Sequence, residues 1–102
     1  MADTTFTPGP WEAFNRDTYQ SIFAKGYERT ICVVESYSKG FGPDRDERDA
    51  NAHLIAAAPE LYEALYRLVR DCEIAGLQEQ AGFDCWIIMA NKALAKARGE
   101  AA

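Results

Sequence analysis

A single run of helical spacing constrains this chain most. Leu54, Ala58, Leu61, Leu65, Leu68 and Cys72 follow one another at steps of four, three, four, three and four. That spacing puts all six on one stripe of a helix, so the pattern predicts a long amphipathic helix over residues 47–73. Pro59 lies inside it. A proline within a helix removes one backbone hydrogen bond and crowds the carbonyl four residues back. The reading therefore allows a kink or a break near Ala58, with Pro59 in the first turn of a second helix.

A second stripe has the same period. Phe83, Ile87, Ala90, Leu94 and Ala97 repeat at steps of four, three, four and three. This predicts a helix over 83–98, with Asp84 suited to cap it and Gly99 to close it. Gly76 suits the C-terminal glycine of the preceding helix, and residues 77–82 form a connector with room for one helical turn. Two stripes joined by a short connector predict an antiparallel helix pair. Trp86, Ile88 and Met89 fall off the second stripe, so the last helix is apolar on more than one side. That surplus predicts a homo-oligomer.

The N-terminal third has the other period. Thr7-Pro8-Gly9-Pro10 ends a lead-in over residues 1–10, since such a run continues neither a helix nor a central strand. Trp11-Glu12-Ala13-Phe14 alternates apolar and polar, as a half-buried strand does. Asn15-Arg16-Asp17 is a turn, Thr18 to Ala24 a second strand and Lys25-Gly26 a second reversal. Thr30 to Tyr37 carries four consecutive apolar residues and is expected to be covered on both faces. The expected fold is α+β in one domain: a three-stranded antiparallel meander over 11–38, packed on the C-terminal helix pair.

Charge and cysteine content narrow the function classes. The net charge of −5 over 102 residues argues against a general nucleic-acid binder. It suits an acidic surface that meets a basic partner. Three cysteines without CxxC spacing, and one histidine, give no zinc or disulfide framework. They read as reduced thiols. No run approaches the length of a membrane span, and the first residues lack the basic and apolar regions of a secretion signal. A cytoplasmic protein is expected. No phosphate loop, metal-ligand spacing or nucleophile set appears, so the expectation is a protein that is not an enzyme and needs no cofactor.

The candidate ligand site lies at the start of the central helix. Asp44 to Asp49 is a run of six charges that includes Arg45 and Arg48. With Asn51 and His53 they form a polar group where helix N–H groups favour anions. Trp11 supplies an aromatic face. The competing reading makes the arginines internal partners of Asp44, Asp46 and Asp49, Asn51 a local cap and His53 a hydrogen-bonded half-buried residue.

Thr7-Pro-Gly-Pro-Trp11, followed by Ala50-Asn-Ala-His-Leu-Ile-Ala-Ala-Ala-Pro-Glu-Leu-Tyr-Glu-Ala-Leu65, resembles a group of small phage and prophage proteins. The layout, strands first and then helices, is also similar to the Thoeris anti-defence sponge family. Those phage proteins assemble as oligomers and sequester cyclic nucleotide immune signals without cleaving them. The resemblance implies a counter-defence protein that sequesters a cyclic nucleotide, and the residue chemistry read above assigns its contacts to Arg48, Asn51, His53, Arg45 and Trp11. The alternative is an acidic inhibitor of a host defence protein, or an accessory phage protein with no small ligand.

Overall fold

The computed structural model describes residues 4–26, 29–35 and 45–100. The expected loop from Ser38 to Pro43 lies outside these residues, as do Tyr37 and Asp44. Among the described residues the element order is β1 (Trp11–Asn15), β2 (Tyr19–Ala24), β3 (Arg29–Glu35), α1 (Arg45–Ala56), α2 (Ala58–Ile74), a 3-10 turn (Leu77–Glu79) and α3 (Asp84–Ala97). This is an α+β protein with an antiparallel sheet ordered β1-β2-β3. The chain divides into two compact units, Thr7–Glu60 and Leu61–Ala102 with Met1–Phe6.

In the first unit, α1 packs on all three strands. The sheet has one face for that helix. Trp11 pairs with Ala24 and Ala13 with Ile22, and Ile22 pairs with Cys32, so these side chains share a face. Ile22, Ala24 and, from α1, Ala52 are fully buried. The opposite face carries Phe14, Phe23 and Val33, and Arg16 lies 4.2 Å over the Phe14 ring. Val33 is exposed, so β3 is not covered on both faces as its apolar run predicts. Half-burial on a two-faced sheet accounts for the same run. A register shift between Ile22 and Phe23 leaves Ile31 as the extra residue on β3.

The first turn forms as expected. Asp17 N–H donates to Asn15 Oδ1 at 2.8 Å, and Asp17 takes a positive φ of 77°. An aspartate tolerates that conformation because its short polar side chain bonds locally.

Three helices replace the two predicted over 47–73 and 83–98. Pro59 decides this. α1 ends at Ala56, Ala57 is a turn, and α2 restarts at Ala58 with Pro59 in its first turn, where a missing N–H costs nothing. The Ala57 N–H still reaches His53 O at 3.1 Å, so the interruption is brief.

In the second unit, Tyr62 and Val69 of α2 meet Ile87 and Leu94 of α3. Arg98 Nη1 donates to Tyr62 Oη at 3.0 Å, which ties the start of α2 to the end of α3, as in an antiparallel pair. Phe6 packs edge-on against Tyr62 at 5.2 Å between ring centroids. The predicted stripe is therefore rotated away from the core. Leu65 and Cys72 are partly buried, but Leu61 and Leu68 are 52% and 63% exposed. Asp84 occupies the first turn of α3 rather than its cap, where Phe83 stands, and Asp84 Oδ1 accepts from Cys85 N–H at 2.9 Å.

Candidate functional site

The five predicted site residues separate into an inner and an outer set. Arg48 belongs to the interior: it is 1% exposed. Among the described residues, its guanidinium meets Asp49 and the Asp17 carbonyl. Nε and Nη2 reach Asp49 Oδ1 at 2.9 and 2.8 Å, and Nη1 donates to Asp17 O at 3.1 Å. Gln20 Nε2 donates to the same Asp49 oxygen at 2.9 Å. These bonds join α1 to β2 and to the β1–β2 turn. A buried charge persists only when it is paired and hydrogen-bonded, and this one is both. Asp49 is held below the usual carboxylate range, first by the Gln20 amide and then by the Arg48 guanidinium. Arg45 is exposed and lies 3.9 Å from Asp17 Oδ1. The internal-partner reading thus describes Arg48, with Asp49 as its partner.

Asn51 and His53 are exposed on α1. Trp11 and His53, 42 positions apart in the sequence, line one shallow recess of about 420 Å³ with Glu12, Ala13, Ala56, Ala57 and Glu60. Small residues on α1 leave space there. Trp11 Nε1 donates to Thr7 O at 3.1 Å, which orients the indole. Glu12 pairs with Lys25 at 3.3 Å, an exposed pair. The recess is acidic: it has two carboxylates and no lysine or arginine among its lining residues. Asn51, Arg45 and Arg48 do not line it.

The two stretches Thr7–Trp11 and Ala50–Leu65 meet beside this recess. A Cβ placed on Gly9 would stand 2.8 Å from Pro59 Cβ, closer than such atoms approach. Gly9 is therefore required by contact with the buried Pro59 ring. The expectation that Trp11 and His53 act together rested on the chemistry of polar and aromatic groups. Glu12 and Glu60 were absent from it. The Glu12-Ala13 alternation beside Trp11, and the one-turn spacing of His53, Ala56, Ala57 and Glu60, were the signals present in the chain.

A different surface lies on the second unit. Leu65, Leu68 and Cys72 of α2 and Trp86, Met89 and Ala93 of α3 line most of an apolar groove of about 580 Å³. Trp86 is 64% exposed and Met89 59%. The surplus on the last helix was legible in the sequence, whereas the exposure of Leu61 and Leu68 was not.

Among the described residues, no group of three or more His, Cys, Asp or Glu is arranged to hold a metal ion. No helix among them is long and apolar enough to cross a membrane. Cys32, Cys72 and Cys85 are free thiols, and partial burial pushes the Cys32 thiol up.

The fold and its surfaces define a small α+β protein. The chain belongs to the family described as Salmonella phage P22 protein Y8K6, whose model matches residues 1–101. No curated protein and no solved structure matches it.

Proposed function

We propose that this phage protein acts without catalysis, as an acidic inhibitor that occupies a host protein, and that the Trp11 recess is its point of contact. The observation that carries this reading is the company Trp11 keeps: Glu12, Glu60 and His53 around an alanine floor. An arginine or lysine of a partner, laid over the indole, gains a cation–π contact and meets two carboxylates. Such a contact contributes about 0.5–2 kcal/mol, more as water is excluded. Tryptophan against a basic side chain is a common anchor of protein interfaces. The exposed Glu12–Lys25 pair can exchange its lysine for a partner guanidinium at little cost. The overall charge of −5 favours approach to a basic surface.

Sequestration of a cyclic nucleotide is the second reading. Trp11 and His53 in one recess favour it, since an indole stacks on any base and carboxylates accept from base amino groups. The buried Arg48 offers nothing to its phosphates.

Two measurements separate the readings. Affinity capture from infected-host lysate is expected to retain a protein that is lost on Trp11→Ala and Glu60→Lys and weakened by salt. Retention unchanged in both variants would reject the recess as the contact. A thermal-shift screen with cyclic di- and trinucleotides and cyclic ADP-ribose isomers tests the second reading. A ligand at about 100 times its Kd adds roughly 2.7 kcal/mol, a shift of many degrees for a domain this size. A clear shift, abolished by Trp11→Ala and with the ligand recovered intact, would replace the first reading with the second.

A further inference from the structure

We propose that the groove between α2 and α3 is a self-association surface, on which a second copy of this chain docks its own α2–α3 pair. The inference is independent of the recess, which lies in the other unit.

Spacing supplies the first argument. Leu61, Leu65, Leu68 and Cys72 step by four, three and four along α2. Trp86, Met89, Ala93 and Ala97 step by three, four and four along α3. These steps give each helix an apolar stripe of the kind that packs against another helix. The chain's own core uses a neighbouring stripe, Tyr62 and Val69 with Ile87 and Leu94. A second stripe therefore runs beside the first, partly buried at Leu65 and Cys72 and exposed at Leu61, Leu68, Trp86 and Met89, and an antiparallel helix pair of the same spacing fits it.

Shape supplies the second. The same face carries both projections and a hollow: Leu68, Trp86 and Met89 stand exposed, and Ala90 and Ala93 are small. A twofold dimer needs a patch of this kind, in which the projections of each copy enter the hollow of the other.

Area and charge supply the third. A large apolar or aromatic side chain offers roughly 200 Å², so Leu68, Phe83, Trp86 and Met89 at their exposures present on the order of 500 Å² per chain. A standard interface takes about 800 Å² from each partner, with an apolar centre inside a polar rim. The patch is the right size for that centre. Between Leu61 and Ala97, five acidic side chains face four basic ones, so this segment contributes only −1 to the chain's −5. A second copy therefore meets little like-charge repulsion here, whereas the remainder of the chain carries the excess that would oppose pairing.

The test is the mass of the full chain in solution, measured by light scattering and by sedimentation over a dilution series from about 100 μM to 1 μM. The wild-type protein is expected at twice its 11.4 kDa. Trp86→Glu is expected to halve that mass while keeping its helical circular dichroism. Leu68→Lys, on the other wall of the groove, is the second variant should Trp86→Glu fail to fold. A wild-type chain that stays monomeric at 100 μM overturns the proposal and leaves the groove to another protein. A folded variant that remains dimeric overturns it too, by placing the contact elsewhere. Trp11→Ala is expected to leave the mass unchanged, so failure of the recess reading and failure of this one give different results.

Discussion

The two units close their interiors by different means. In the first, the core of Ile22, Ala24 and Ala52 is thin, and the largest fully buried side chain is an arginine. Among the described residues, no buried side-chain nitrogen or oxygen lacks a partner. In the second, the core is apolar, and much apolar surface stays outside it. Among the described residues, seven of the ten exposed large hydrophobic ones, from Leu61 to Met89, belong to that unit. In the first unit, polar bonds among Arg48, Asp49, Gln20 and the Asp17 carbonyl hold α1 on the sheet. The second has more apolar surface than its own core uses. Polar closure leaves a surface free for recognition, while apolar excess calls for association.

Removing the polar centre is the strongest way to break this comparison. Arg48→Ala takes the guanidinium from Asp49, which keeps only the Gln20 amide, and from the Asp17 carbonyl. Losing one partner of a buried pair costs about 3–5 kcal/mol, and the lower end applies here because the Asp49 side chain is 34% exposed. At roughly 4–8 °C per kcal/mol for a domain of this size, Tm is expected to fall by more than about 10 °C in calorimetry. A drop near 2 °C would mean that the arginine is not what closes the first unit.

A smaller effect is expected at the proline contact. Gly9→Ala pushes a methyl group into Pro59 Cβ. Overpacking of this sort costs about 1–3 kcal/mol, readable as a lower urea midpoint with an unchanged slope. An unchanged midpoint would show that the lead-in yields without resistance.

Acid sharpens the comparison by the least amount. Asp49 has its carboxyl lowered on folding by Gln20 and Arg48. Such a group stabilises the fold above its unfolded value, about 3.9 for aspartate. That contribution disappears as pH falls through the lower folded value. Between pH 7 and pH 5 it is constant. Below about pH 4, wild-type Tm is expected to decline more steeply than that of Asp49→Asn. Parallel profiles would remove Asp49 from the account.

Much of the fold could be read from periodicity, and the failures have physical causes. The meander followed from alternation at Trp11–Phe14 and from the turn residues Asn15 to Asp17. The break followed from Pro59, although whether it kinked or ended the helix depended on a turn at Ala57 that no spacing reveals. The stripe from Leu54 to Cys72 is real as a pattern. It marks an apolar face, and whether a face is buried depends on what the rest of the chain brings to it. Tyr62 and Val69, a short rotation away, received α3 instead. Arg48 looked like an exposed residue in a charge run. Its burial depends on Gln20 and Asp17, 28 and 31 positions upstream, and their convergence is a property of the sheet. Side-chain chemistry groups Trp11 with His53, and the packing of α1 on β1 brings them into one recess. The carboxylates that give their recess its acidic character, Glu12 and Glu60, come from β1 and α2, and no spacing brings them together.

The contact of Gly9 with Pro59 also governs which sequences such a chain can explore. The two positions lie 50 apart in the sequence, yet they do not vary independently. A larger residue at 9 becomes admissible only after residue 59 has lost its Cβ or its backbone has withdrawn. A library randomised at position 9 alone should return glycine, whereas one randomised at both positions should return alanine at 9 paired with glycine at 59. The order in which substitutions arrive, and not only their identity, then decides which descendants of this phage protein still fold.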